Sequence, residues 1–388
     1  MQTNDEFHDL GDAVSLLVER LVEPVEGMHR TITDRGFRYV GRLGGPARVA
    51  HNTVVDQVYS AVRWASGAVG AGIGTMLAAR SAAPVSETRR GSGIQAALNG
   101  VWGDRLDERG NALSVSLTVR SGSVAIPIDP AALAAVHPTA TSHIVVLLHG
   151  FGQTERCWDA SNGGEASLFD AIESTPGITP VLVRYNSGLP IARAGADLAH
   201  LLAGLQASWP VDAPTVSLVG YSMGGLVARS AYATGIAAGH EWASSARHLI
   251  NIGVPHAGSP IARGVRLGTW ALRIARTTRP LGDFLNGASA GIKDLQSGAD
   301  VAAAWEEALP IPHGHFSGVG EHFVAAVVTE SARHPLGALV GDLVVPVASA
   351  TQPAAASANI RVVGNRRHFD LLADPDVTDQ VIEWLHSE

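Results

Sequence analysis

SLVGYSMGGLVARS, residues 217–230, decides how this chain folds. An apolar, β-branched run over 215–219 ends in Gly220, and a helix-compatible run opens at Met223. Between them stands a serine framed as G-x-S-x-G. A serine on a strand-to-helix turn sits in so tight a bend that its neighbours must be small. Gly220 and Gly224 give that room, and Gly225 lets the helix approach the sheet closely. The same string recurs as GASAG at 287–291, in a chain with 43 glycines. No strand precedes that copy and helical pieces flank it, so Ser289 reads as a loop residue and Ser222 as the candidate nucleophile.

A serine hydroxyl is a weak nucleophile until a base takes its proton, and the base must be oriented by an acid. With the serine on such an elbow, the order along the chain is nucleophile, acid, histidine. GDLVVPVASA, 341–350, offers Asp342, and His368 follows the last predicted strand, 360–364. The 26 residues between them leave space for one strand. His256, His313, His315, His322 and His334 are rival histidines, and none follows the final strand. Glu321, Glu330 and Asp370 are rival acids. An oxyanion needs two backbone N–H donors. Met223, after the nucleophile, is one candidate, and Phe151 in HGFG, 149–152, is the other.

The remaining sequence supplies a frame for these residues. HIVVLL, 143–148, reads as a buried strand, and strands alternate with helices from there to the terminal helix in DVTDQVIEWLHS. That alternation predicts an α/β fold with a mostly parallel sheet and helices on both faces. GVWGDRL and NALSVSLTVRSG, separated by DERGN, read as a hairpin. The polar stretch SAAPVSETRRGSG, 81–93, reads as a linker. Residues 1–95 are therefore expected to form an N-terminal helical region with a linker, and 96–388 the catalytic domain. Val54, Val55, Val58, Tyr59 and Val62 mark the helical spacing of the first region.

Composition narrows the partners. The formal charge is −8 and no long basic run occurs, so no nucleic acid is expected. The single cysteine excludes an internal disulfide and paired-cysteine zinc spacing. MQTNDEFHDLGDAVSLL has no basic segment followed by an apolar one, so no signal peptide and a cytoplasmic location are expected. ASGAVGAGIGTMLAA, 65–79, is shorter than the ~20 residues of a spanning helix, which leaves peripheral membrane contact and homo-oligomer formation open.

HGFG, GYSMGGLVAR, NIGVPHAGSP, GDLVVPVASA and HFDLL, in that order, resemble the α/β-hydrolase superfamily. Within it, the chain is similar to lipase-like and inositol-deacylase-like serine esterases. VPHAGSP, 254–260, looks like a segment those lipases carry after the sixth strand. Tyr221 departs from the histidine that often precedes the serine in true lipases. The resemblance implies hydrolysis of carboxylic, lipid-like or acyl esters through Ser222, His368 and Asp342, without metal or organic cofactor. It places His256 at the rim of the site. Acyl transfer, or a non-catalytic binding protein on the same fold, are the alternatives.

The stretch 255–321 is too long for a simple connection and is expected to be a helical cap insertion. Leu267, Trp270, Ala271 and Ile274 share one face of a predicted helix, with Arg263, Arg266, Arg273 and Arg276 beside it. An apolar cap wall stabilises an acyl chain by ~0.8 kcal/mol per buried CH₂. Replacing Trp270 or Ile274 with a polar residue should raise KM more for octanoate than for acetate esters. Equal losses on both, with the fold intact, would remove this segment from an acyl site.

Overall fold

The computed structural model of the protein describes residues 84–160, 166–212, 214–257, 289–297, 315–331, 334, 337, 340–352 and 359–387. The helices expected in the N-terminal region before residue 84, the apolar segment 65–79 and the amphipathic helix expected around Trp270 lie outside the described residues, as does most of 255–321. One compact unit comprises Ser92–Glu108, Ser114–Arg263 and Ser289–Glu388; a second comprises Met1–Gly91, Arg109–Leu113 and Gly264–Ala288. Among the described residues no helix is long and apolar enough to cross a membrane.

The first unit is built on an eight-stranded sheet ordered β2-β1-β4-β3-β5-β6-β7-β8. Its strands are β1 (Thr118–Ser121), β2 (Val124–Ile126), β3 (His143–Leu148), β4 (Ile178–Arg184), β5 (Thr215–Tyr221), β6 (Ala246–Ile252), β7 (Gly320–Ala326) and β8 (Asn359–Val363). β1 pairs antiparallel with both β2 and β4, and all pairs from β4 to β8 are parallel. The expected mostly parallel α/β sheet is therefore present.

Parallel strands covered on both faces must be apolar on both, which is why β3 reads as a continuous run. Ile144, Val146 and Leu148 join Leu198, Leu202, Leu226 and Val227 in one core. Val145 and Leu147 point the other way, to Trp158, Ile172, Val377 and Val381. The helices are α1 (Arg89–Glu108), α2 (Pro130–Val136), α3 (Leu168–Glu173), α4 (Ile191–Ala207), α5 (Met223–Ala238), α6 (Glu241–Ser244), α7 (Ala290–Ser297), α8 (Val347–Ala350) and α9 (Pro375–His386). Along α4, buried Ile191, Ala194, Leu198, Leu202 and Leu205 recur at three- and four-residue spacing, as a core-facing helix requires. α9 starts where Asp374 accepts the Val377 amide and Pro375 occupies the first turn.

Two sequence expectations are corrected. GVWGDRL is not a strand; it lies in α1, which also begins inside the expected linker. Its buried positions are Ser92, Gln95, Ala96, Asn99, Trp102 and Leu106, at helical spacing but mostly polar or small, while Ile94 is exposed. Hydropathy therefore could not show the helix. The hairpin exists further on, between β1 and β2, and it turns at Gly122 (φ 56°) rather than at DERGN.

Buried histidines make this fold sensitive to acid. At the amino ends of the strands, His143 bonds Ser217 at 2.8 Å and His248 bonds His322 at 3.1 Å. Burial depresses His143, His248 and His322 to about 4, from an ordinary 6.5. The unfolded chain thus takes up protons first, and stability is lost as pH falls from about 6.5 towards about 4. The urea midpoint should be flat above neutrality and drop through that window. A midpoint constant from neutral pH to 4.5 would contradict the burial of neutral rings.

Candidate active site

The carboxyl ends of the parallel strands gather the predicted residues. β5 runs straight into α5 with Ser222 alone between them, at φ 52°, ψ −121°. Such a conformation costs a non-glycine residue roughly 1–3 kcal/mol and persists only where the surroundings dictate it. Here they do. The Ser222 amide donates to the Ile252 carbonyl at 2.8 Å, and the Ser222 carbonyl accepts from Gly225 at 3.1 Å. A Cβ on Gly220 would lie 2.4 Å from Gly225 Cα. One on Gly224 would lie 2.3 Å from the Leu148 carbonyl oxygen, and one on Gly225 would lie 2.2 Å from Val254 Cγ2. At Gly220 and Gly224 the spacing is thus a requirement of backbone meeting backbone, and at Gly225 of backbone meeting the Val254 side chain. Ser289, by contrast, is buried with its hydroxyl donating to the Gly100 carbonyl at 2.6 Å.

Asp342 and His368 are joined directly. His368 Nδ1–H donates to Asp342 Oδ2 at 2.7 Å, and the His368 amide donates to the Asp342 carbonyl at 3.1 Å. The other carboxylate oxygen, Oδ1, accepts the amides of Val344 at 2.9 Å and Val345 at 2.7 Å. That turn needs positive φ at Gly341 (64°) and Leu343 (78°). With Nδ1 committed, Nε2 is the ring nitrogen left for proton transfer. The imidazole reaches the same strand end as Ser222: a Cβ on Gly253 would be 3.1 Å from His368 Cε1. Among the described residues no hydrogen bond links Ser222 Oγ to the ring, a looseness common before substrate binds.

The rivals are occupied elsewhere. Glu330 and Asp370 are exposed, and Asp370 accepts the Arg367 amide at 2.8 Å. Glu321 pairs with buried Arg229 and with His315. His322 bonds His248. His256 is buried edge-on to Phe323 at 5.6 Å, and both its ring nitrogens lack a partner in the described structure. Burial, with Arg229 nearby, pushes its basicity well below the usual histidine range. His313 lies outside the described residues.

The loop after β3 presents amides to the same place. His149 Nδ1–H donates to the Gly150 carbonyl at 2.8 Å, and Nε2 accepts from the Tyr185 amide at 3.2 Å. Burial lowers His149 to about 4, so this ring is a neutral brace for the loop. Gly152 takes φ 64°, and Gly150 faces Tyr221, whose Cδ1 would be 3.1 Å from an added Cβ. Phe151 and Met223 amides have no hydrogen-bond partner among the described residues. Met223 also opens α5, where the helix dipole favours negative charge. An anion could therefore be held by unpaired N–H groups beside a strained serine and a carboxylate-bound imidazole.

Sequence reasoning missed the part played by Tyr221. Its ring stacks on His368 (centroids 5.1 Å apart), and its hydroxyl donates to the His368 carbonyl at 3.1 Å. It thus touches the histidine on one side and the β3 loop on the other. The only signal was the unusual residue before the serine.

The model of the alpha/beta hydrolase family matches residues 145–381. No protein of curated function matches the chain in sequence. Among solved structures, the chain is similar to a Bacillus licheniformis lipase in its mature form, at 19% identity and a TM-score of 0.40, over 62% of this chain and 89% of that one. It is similar to a metagenomic carboxyl esterase at 17% identity and a TM-score of 0.36, over 64% and 72%. A phospholipase of Legionella pneumophila gives 14% identity and a TM-score of 0.37, over 63% and 60%.

Tyr221→Phe keeps the ring and removes one hydrogen bond, so it should cost about 1 kcal/mol of stability. Tyr221→Ala also opens a cavity and should cost roughly 3–5 kcal/mol, by analogy with other aromatic truncations. Urea unfolding measures both. An Ala variant no worse than Phe would mean the ring does not brace the site.

Proposed function

Because the chain belongs to the alpha/beta hydrolase family, we propose that it is a serine hydrolase of carboxylic esters, working through Ser222, His368 and Asp342. The observation that carries this reading is the Ser222 backbone, strained at φ 52° beside an imidazole held at 2.7 Å by a carboxylate. His368 Nε2 removes the Ser222 proton as Oγ attacks the ester carbonyl. The amides of Met223 and Phe151 receive the oxyanion of the tetrahedral intermediate. Its collapse breaks the carbon–oxygen bond, and His368 gives the proton to the leaving alcohol. Water then attacks the acyl-enzyme, His368 taking its proton, and Ser222 Oγ leaves with that proton as the acid departs. Asp342 stays ionised throughout and holds the tautomer. No metal or organic cofactor enters these steps.

The narrower part of the reading is an acyl ester of lipid-like kind. NIGVPHAGSP and its likeness to inositol-deacylase-like sequences support it. Competition between water and added alcohols or thiols for the acyl group separates hydrolysis from acyl transfer.

Ser222→Ala should abolish p-nitrophenyl acetate turnover, by on the order of 10⁶, and fluorophosphonate labelling with it. Ser289→Ala should keep labelling, and its turnover should fall far less than that of Ser222→Ala. Asp342→Asn should fold but lose roughly 10⁴ in turnover. The reason is local: the Val344 and Val345 amides would keep the Asn oxygen at Oδ1, turning its NH₂ towards His368 Nδ1 and displacing the ring proton to Nε2. Glu330→Gln should be nearly silent. Labelling that survives in Ser222→Ala, or a crippling Glu330→Gln beside an active Asp342→Asn, would refute the assignment.

A further inference from the structure

The amides of the β3 loop are distributed unevenly. The Gly150 amide donates to Gln153 Oε1 at 3.1 Å, the Gly152 amide to Ser187 Oγ at 2.9 Å, and the Gln153 amide to the Gly150 carbonyl at 3.3 Å. Of the four amides from Gly150 to Gln153, that of Phe151 is the one without a hydrogen-bond partner among the described residues. Its direction is set by the peptide units on either side. The one following it is anchored from outside the loop, by the Ser187 hydroxyl. Without that acceptor, Gly152 would hold an unsatisfied N–H on a residue free to rotate, and the Phe151 amide would turn with it.

Ser187 is buried and is itself gripped from two sides. On the α1 side, Asn186 Nδ2 donates to the Gly103 carbonyl at 3.0 Å, and a Cβ on Gly188 would be 2.0 Å from the Asn99 carbonyl oxygen. On the other side stand Ser289, Ala290 and Gly291, the last three residues of the second G-x-S-x-G copy. The Gly291 amide donates to the Gly188 carbonyl at 3.0 Å, and a Cβ on Gly291 would lie 2.1 Å from the Ser187 carbonyl oxygen. Asp294 Oδ2 accepts the first amide of α4, Ile191, at 2.8 Å. Ser289 and the Ala290 amide tie the same turn to α1, through the Gly100 carbonyl at 2.6 Å and Asp104 Oδ2 at 3.0 Å.

We propose that Ser187 is a positioning residue that aims the Phe151 amide at the oxyanion, and that the 289–294 segment is the strut that holds Ser187 in place. Ser289 is then part of a support for the chemistry of the first motif and not a second nucleophile. The inference rests on the serine-esterase reading above.

The test uses the full chain, with kcat referred to active sites titrated by a fluorophosphonate whose adduct is located by mass spectrometry. Wild type, Ser187→Ala and Gly291→Ala are compared on p-nitrophenyl acetate and for inhibition by a trifluoromethyl ketone, which forms a tetrahedral adduct. Outright loss of an oxyanion donor costs on the order of 10²–10³ in kcat. A misdirected donor should cost roughly 10- to 100-fold in Ser187→Ala, with KM nearly unchanged and ketone affinity falling in step. Gly291→Ala, which pushes on the Ser187 backbone, should show the same split. Referring rates to titrated sites keeps partial unfolding from imitating the effect. Wild-type kcat and ketone affinity in Ser187→Ala, or a loss confined to KM, would overturn the inference while leaving the esterase reading standing. A wild type that neither turns over ester nor labels at Ser222 would sink that reading, and the inference with it.

Discussion

Everything in this site depends on how closely the first turn of α5 approaches the ends of β3 and β5. No side-chain carbon fits at Gly220, Gly224 or Gly225; each would collide with backbone or with Val254. That approach brings the free amide of Met223 beside the β3 loop. It also puts Ser222 against the Ile252 carbonyl, at the strand end that His368 overhangs. Hydrophobic burial supplies the driving force for such a sheet, but burial is non-directional. The close approach of polypeptide to polypeptide is what gives the residues their mutual geometry.

Charged and polar groups inside the unit are managed by pairing. Glu155 is buried and receives two hydrogen bonds from Arg184, at 2.6 and 2.5 Å, tying the helical turn Glu155–Asp159 to β4. Arg229, fully buried on α5, pairs with Glu321 on β7 and lies 4.6 Å from the Phe316 ring. Unpaired, either charge would be costly to bury, so each pair specifies how its elements meet more than it stabilises them. Both pairs lie on elements that carry or flank the candidate site.

Much of this was legible in the sequence. β3, β4 and β5 announced themselves as continuous apolar runs because both their faces are covered. The turn at Ser222 was legible because small residues are compulsory there, and the order of Asp342 and His368 followed from the order of strands. α1 was hidden because Ser92, Gln95 and Asn99 interrupt its buried stripe, leaving Ala96, Trp102 and Leu106 too few to give a hydropathy signal at helical spacing. Ser187 was hidden for a different reason. Its place is set by three separate segments, around Gly103, Gly152 and Gly291, and no local spacing encodes such a meeting.

Ser222 is the least comfortable residue in its own neighbourhood. A glycine would adopt its backbone angles without steric penalty, and most of the packing around it would be untouched, since Ser222 is valued there for one oxygen atom. Selection for folding alone would therefore drift towards Gly at this position, releasing roughly the 1–3 kcal/mol stored in the turn. On the serine-hydrolase reading proposed above, a serine at φ 52° trades stability for reactivity, and the glycines around it show how far the scaffold bends to accommodate that trade.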